Sequence, residues 1–555
     1  MRRFTLVVCA LCVLTVEAYA GQMWRVRIDA SDARSVADQL ECAGFDVLEG
    51  SVGDFSLELV VTAQDLIELR TLGYAPVTLE ESRPFNEIQI ERAGLADPPP
   101  PGYPNLAQVI DEMNAAESTF PAICRMVDLT VEYNVPPTFE GRHVFAVKIS
   151  DNVGEEEDEP VFLVVSTHHV REIVTPVIAL YAIEQLTTLY GSDPQITDLV
   201  DSHEIWIAPV WNPDGYVYVF EVNNMWRKNR RVFPTGIGVD LNRNYPFGWH
   251  SHCSGSSSPS SITYKGPEPA SESETKTMIA MSEDVHFTKL VDYHSSGREV
   301  LWGYACHNHP FETFLRSEAI ALSIASSYGG SQRSPSAEGE HFEWQLAMHA
   351  NHAFLIETHT TFQPPYPSAV EEAARVWPGV IWLLERAIPL QGHVTNAVSG
   401  EPVEALIAYQ GVVFENGEEN PSDGSFGRYH AFLPAGDFTV EFAAEGFVPQ
   451  SHPVVITQNT TQVLDIQLEP FGCSGKEVIK AKCKSRHGVN KVKAKLKKGN
   501  PEASVTFRLD GDPQTDIVKR VGANGKAKVK YIDVASGLHT VEIVECGVSK
   551  NTVCP

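Results

Sequence analysis

The run Val161-Phe162-Leu163-Val164-Val165 constrains this chain more than any other stretch, because every residue in it is apolar and most are β-branched. A strand of that kind has to be covered on both faces, which demands layers on each side of its sheet. Thr175-Pro176 then reads as the cap and first-turn pair of a helix over 177–189, closed by Gly191. Further buried strands are expected over 205–210, 290–293 and 354–356. Such runs alternate with amphipathic helices from about 104 to 390, so this part is expected to be an α/β domain with a mixed twisted sheet flanked by helices.

The full length of 555 residues is too great for one core and predicts several domains. Residues 1–20 read as an export signal: Arg2 and Arg3 precede an apolar stretch from Phe4 to Val16, and Ala18-Tyr19-Ala20 offers a small-x-small cleavage pattern. No later segment is long and apolar enough to suggest a transmembrane helix, so the expected location is secreted, either extracellular or periplasmic. Residues 22–90 predict a small α+β unit. Its strands fall near Trp24–Ile28 and Phe55–Val61, with Ser31 capping one helix and Thr62-x-x-Asp65 boxing another that stops at Gly73. A Pro-rich linker, 91–103, follows, with Pro98 to Pro101 stiff and extended.

Beyond about 391 the helical signal stops. Residues 391–470 predict a β-sandwich, with turns at Asp423-Gly424 and Pro434-Ala435-Gly436. Residues 471–555 predict a second all-β module of opposite charge. The chain carries −29, yet this module alone carries +9, leaving −38 on everything before it. The acidic bulk argues against a nucleic-acid partner for the main domains. Lys491-x-Lys493-x-Lys495 places positive charge on one strand face of the tail module, suited either to simple solvation or to contact with an anionic cell surface. Eight cysteines lie beyond the export signal, and disulfides are expected for them. Cys473, Cys483, Cys546 and Cys554 should form two bridges.

Four polar residues stand out by position. His169 and Glu172 lie in the connection after the 161–165 strand, His294 follows the 290–293 strand, and Glu357 follows the 354–356 strand. Ligands of open α/β sheets bind at the carboxyl ends of strands, so all four are expected at one edge. Two histidines and a carboxylate with an open position form the ligand set of a catalytic zinc ion, one per domain. Glu357 would then be the general base.

At this point the chain resembles the secreted zinc metallocarboxypeptidases. The resemblance rests on Thr167-His168-His169-Val170-Arg171-Glu172, Pro209-Val210-Trp211-Asn212-Pro213-Asp214-Gly215, Met225-Trp226-Arg227-Lys228-Asn229-Arg230, Asp240-Leu241-Asn242-Arg243-Asn244, His294-Ser295 and Ile356-Glu357. It implies His169, Glu172 and His294 as zinc ligands and Glu357 as the base. It further implies Arg227 as the oxyanion group, Asn242 and Arg243 as the clamp on the substrate's terminal carboxylate, and Asp240 as the acid orienting the first histidine. Such a clamp suits a guanidinium, which grips a carboxylate through two bonds. The family's mobile tyrosine has no match: spacing reaches Pro335, and Tyr328 is the nearest tyrosine. Phe342 and Ala305 fall where the family selects side chains, implying apolar or aromatic C-terminal residues. Glu338, Glu340 and Glu343 lie near, and a carboxylate in the pocket would favour Lys or Arg instead.

The resemblance also implies that 22–90 is a ferredoxin-like activation segment and 391–470 a transthyretin-like β-sandwich. The expected function is a secreted zinc exopeptidase, made as a zymogen, acting on peptides and proteins with a free C-terminal carboxylate. The alternatives are a zinc cell-wall peptide or amide hydrolase and a non-catalytic peptide-binding protein.

Overall fold

A computed structural model describes residues 22–94, 102–397, 399–470, 473, 475–486, 488–500 and 503–555. The expected export signal over 1–20 and the Pro98–Pro101 run fall outside them. No helix among the described residues is long and apolar enough to cross a membrane.

The first unit is built on an eight-stranded sheet. From one edge its order is Gln332–Arg333, Glu299–Leu301, His352–Thr358, Lys289–Ser295, Val161–Ser166, Glu204–Ala208, Phe145–Ile149 and Cys124–Asp128. The four central strands run parallel, whereas Glu299–Leu301 pairs antiparallel with His352–Thr358 and Phe145–Ile149 pairs antiparallel with both Glu204–Ala208 and Cys124–Asp128, so the sheet is mixed as expected. Val161–Ser166 is buried at every position. Phe162 and Val164 join the core on one face, and Val161, Leu163 and Val165 join that on the other, as strand alternation requires. The helix after this strand spans Val174–Leu189, so Thr175 and Pro176 lie within its first turn, and Ile173 occupies the cap position. Thr175 Oγ1 instead donates to the Glu172 carbonyl, tying the helix start to the preceding connection.

Residues 23–81 form a β-α-β-β-α-β arrangement whose antiparallel sheet runs Asp46–Val47, Ser56–Thr62, Met23–Asp29, Val77–Glu81. Asp32, not Ser31, caps the first helix, Ala33–Cys42, accepting from the Ser35 N–H. The Thr62/Asp65 box is present on Ala63–Thr71, and Gly73 follows with a φ of 93° that suits glycine. A third helix, Phe85–Ala93, extends three residues into the range expected to be linker.

A second unit holds the two all-β modules. The 390–468 module packs a sheet containing Leu390–Asn396, Arg428–Ala431, Gln462–Val463 and Ile466–Leu468 with a sheet of Leu406–Tyr409, Gly436–Ala443 and Gln450–Ile456. The tail module sets a three-stranded sheet, Val478–Arg486, Val489–Lys497 and Lys526–Ile532, against a four-stranded one. Its core includes Leu496, Phe507, Val529 and Ile543. Two disulfides, Cys473–Cys546 and Cys483–Cys554, staple this module as expected. Cys253–Cys306 is a third, in the first unit, but Cys124 is a buried free thiol, so the eight cysteines do not all pair.

Candidate metal centre and active site

The carboxyl ends of the parallel strands bring the four expected residues together. Thr167 turns the chain at the end of Val161–Ser166 with a φ of 67°. Asn212 then holds the following segment: its Nδ2 donates to the His168 carbonyl while its Oδ1 caps the helix Pro213–Glu221 through the Gly215 N–H. Gly215 is needed there, because a Cβ would sit 2.6 Å from the Lys228 carbonyl oxygen. This gives the Asn-Pro-Asp-Gly motif a structural reason.

His169 Nδ1 and His294 Nδ1 lie 3.0 Å apart. Glu172 Oε1 is 3.0 Å from the first, and Glu172 Oε2 is 3.2 Å from the second. Behind them, His169 Nε2 meets Asp240 Oδ1 at 3.1 Å and His294 Nε2 meets Asp292 Oδ1 at 3.3 Å. Each ring thus has a carboxylate at its far nitrogen and directs the other nitrogen to a common point, the arrangement that fixes a metal-binding tautomer. Ligand nitrogens about 2.0 Å from a tetrahedral zinc would stand about this far apart. The donor set therefore fits zinc.

Electrostatics follow from burial and pairing. Burial opposes ionisation of Glu172, but His169 and His294 outweigh it and hold its carboxyl below the ordinary range. Asp240 is likewise held well below that range, burial being overcome by Arg227 and His169. Glu357 differs: burial, reinforced by Glu172, pushes it up to about 7. Its Oε2 is buried without a hydrogen-bond partner, and its strand places it directly beside His294 in parallel register.

Sequence reasoning did not find Asp292. Its Oδ1 lies 3.2 Å from His168 Nδ1, and its Oδ2 lies 3.0 Å from His341 Nδ1. His168 Nε2 meets the Tyr245 hydroxyl and His341 Nε2 meets Gln345, so these rings are already engaged and form the support beneath His294 rather than a second metal centre. Asp292 stands two residues before His294 on one strand face, which is the signal that marks it.

His169, Glu172, Arg227, Asn242, Arg243, His294 and Glu357 all line one cavity of about 230 Å³. Arg227 Nε donates to Asp240 Oδ2 at 2.9 Å. Arg243 Nη1 donates to Glu340 Oε1 at 2.6 Å and to the Asn242 carbonyl at 2.7 Å. Phe342 does not line the cavity. The helix His341–His349 turns it into the core, where it is fully buried, and Glu340 at the cap position faces the cavity in its place. Ala305 is also away from the wall, its N–H donating to Glu343. Glu338 accepts from the backbone of Cys306 and His307. Tyr328 is anchored to Glu372 at 2.7 Å in the core, and no tyrosine lines the cavity among the described residues.

The N-terminal unit supplies part of the wall, including Glu41 and the segment from Ala43 to Leu48. Asp46 pairs with both terminal nitrogens of Arg171, the Nη2–Oδ1 contact being 2.8 Å, and its Oδ1 lies 3.7 Å from Arg227 Nη1. Ser261 and Thr263 hydroxyls donate to the Gly44 carbonyl.

A mixed sheet with two histidines, a glutamate and a second glutamate whose Oε2 is buried without a partner at its strand ends gives a donor set that suits a metal-dependent hydrolase. The zinc carboxypeptidase family model matches residues 109–363, so this domain is similar to that family. Metallocarboxypeptidase A of Trichophyton rubrum is 36% identical over 179 residues, covering 31% of this chain and 42% of the relative. Carboxypeptidase A1 of Bos taurus is 28% identical over 304 residues, covering 52% and 70%. The chain thus spans about two fifths of the fungal relative's length. The solved carboxypeptidase A of Helicoverpa armigera superposes with a TM-score of 0.54 at 22% identity, over 65% of this chain and 96% of that one, a likeness of fold.

Proposed function

We propose that this chain is a secreted zinc carboxypeptidase, made with an inhibitory N-terminal unit, that removes single residues from the C-terminal ends of peptides and proteins. The observation that carries the reading is the convergence of the His169/Glu172/His294 set, Glu357, Arg227 and Arg243 on one cavity. Zinc held by the first three supplies Lewis acidity to the scissile carbonyl and to the attacking water. Glu357 Oε2 takes the water's proton, and a pKa near 7 lets it return that proton to the leaving amine. Arg227 is fixed through Nε, leaving its remaining nitrogens to meet the oxyanion. Asn242 and Arg243 hold the terminal carboxylate, which limits cleavage to chain ends.

The N-terminal unit is read as a ferredoxin-like cover, a reading supported by its strand order, by the Asp46–Arg171 pair and by the Ala43–Leu48 segment that walls the cavity. Processing falls in the 91–103 linker. The 391–470 sandwich, read as transthyretin-like, serves as a folding partner of the enzyme. The test is mass spectrometry of a mixed peptide library after limited proteolysis of the chain, with and without a zinc chelator. Chelator-sensitive loss of single C-terminal residues supports the proposal. Internal cuts, or cleavage that survives the chelator, overturn it.

A further inference from the structure

The three-stranded sheet of the tail module carries its charge in a grid. Cross-strand register aligns Lys480, Lys495 and Lys528 in one row and Lys482, Lys493 and Lys530 in the next. Lys497 faces Lys526 beyond one row, and Lys484 faces Lys491 beyond the other. All ten share the outer face, because the alternate residues Val492, Ala494, Leu496, Ala527, Val529 and Tyr531 fill the core. The grid is about 10 Å across three strands and about 20 Å along them.

Like charges directly opposite one another destabilise a sheet, so this face is maintained against its own repulsion. Repulsion from Lys480 pulls the Lys497 ammonium below its usual range. Among the described residues, the module's acids pair elsewhere: Asp516 and Glu542 with Arg508, and Asp510 with His539. None of the three grid strands contains an acidic residue.

We propose that this lysine face docks the protein on the anionic phospholipid headgroups of a bilayer. The grid is flat and two-dimensional. A linear polyanion lying along one strand would meet a single column of lysines, whereas a plane of headgroups meets every column at once. No aromatic side chain lies on the face to stack nucleic-acid bases. Exposed Val478 and Ile532 stand at diagonal corners of the grid, 40% and 56% exposed, placed to rest in the headgroup region. Lysine suits such contact, since its ammonium is a mobile point charge that needs no fixed partner geometry.

The test uses the full chain and vesicles of phosphatidylcholine with or without 30% phosphatidylglycerol (about a third of the headgroups charged, within the range that attracts basic segments). Co-sedimentation is expected only with the anionic vesicles, and it should disappear in high salt. Replacing Lys482, Lys493 and Lys530 together by Gln should weaken binding roughly a hundredfold, about fivefold per lysine. The same positions replaced by Arg should keep it, and Lys519→Gln with Lys550→Gln, on the other sheet, should leave it unchanged. The Gln variant should melt no lower than the parent, because it removes repulsion. Equal binding to neutral vesicles, or undiminished binding by a folded Gln variant, would overturn the proposal. So would heparin or DNA displacing vesicles at equal charge concentration, which would make the partner a soluble polyanion.

Discussion

Asp46 and Arg171 form a buried two-point ion pair between the N-terminal unit and the loop that carries His169 and Glu172, with side chains 4% and 2% exposed. Its members are separated by 125 residues, so the pair exists only while the unit is docked.

Removing one partner of such a pair leaves a buried charge uncompensated, at a cost of about 3–5 kcal/mol. Asp46→Ala is therefore expected to loosen the cover and raise the activity of the uncleaved chain at least tenfold, while the cleaved enzyme keeps its rate. Hydrolysis of a short peptide before and after proteolysis reads this directly. Equal activity in uncleaved parent and variant would show that Asp46 does not hold the cover.

Glu357→Gln should lower kcat by about 10²- to 10⁴-fold, since it removes the proposed general base, while the zinc content measured by atomic absorption stays at one per chain. The pH profile carries a second signature. A carboxyl raised to about 7 is protonated below that pH and cannot accept a proton, so kcat/KM should rise as pH climbs through about 7. The residual activity of the variant should lack this limb.

Glu340 holds Arg243 at 2.6 Å, so on the proposed reading it competes with a substrate carboxylate for that guanidinium. Glu340→Gln should lower KM about fivefold with kcat unchanged, equivalent to about 1 kcal/mol, whatever the terminal side chain. Arg243→Gln should raise KM by about 10- to 100-fold through loss of a charged hydrogen bond. If Glu340→Gln instead raised KM for Lys- and Arg-terminated peptides alone, the carboxylate would be reading the side chain.

Glu318 joins the helix Glu312–Ala325 to His352 at 3.2 Å and to Arg386 at 2.9 Å. Burial raises its pKa, but those two partners outweigh it and hold it down to about 2 from 4.5. A depressed carboxyl stabilises the fold above its unfolded value and loses that contribution as pH falls, here between about 4.5 and 2. Glu318→Gln should cost about 3–5 kcal/mol in urea unfolding at pH 7, with the difference from the parent shrinking below pH 4. A constant difference across that range would refute the assignment.

The strand ends that hold His169, His294 and Glu357 were legible because each strand is a local apolar run and the turn follows it directly. Asp292 was not, since its partners His168 and His341 lie far away in sequence and only folding brings them round one carboxylate. Phe342 was expected at the side-chain pocket from the resemblance alone, which does not show that a helix begins at His341 and turns the next side chain inward. Asp46 gave no signal at all, lying on the two-residue strand Asp46–Val47 whose importance is wholly tertiary. The Thr175-Pro176 and Ser31 readings failed for a smaller reason, because several adjacent residues can cap a helix and neighbouring packing selects among them.

His294 and Glu357 stand side by side on hydrogen-bonded parallel strands, so the distance between their backbones is set by the rung spacing of the sheet, about 4.8 Å. Loops around the cavity can lengthen, shorten or be cut without altering that distance. On the proposed reading of the N-terminal unit as a removable cover, cleavage uncovers a finished instrument, and activity should appear as fast as that unit departs, with no slow maturation phase behind it.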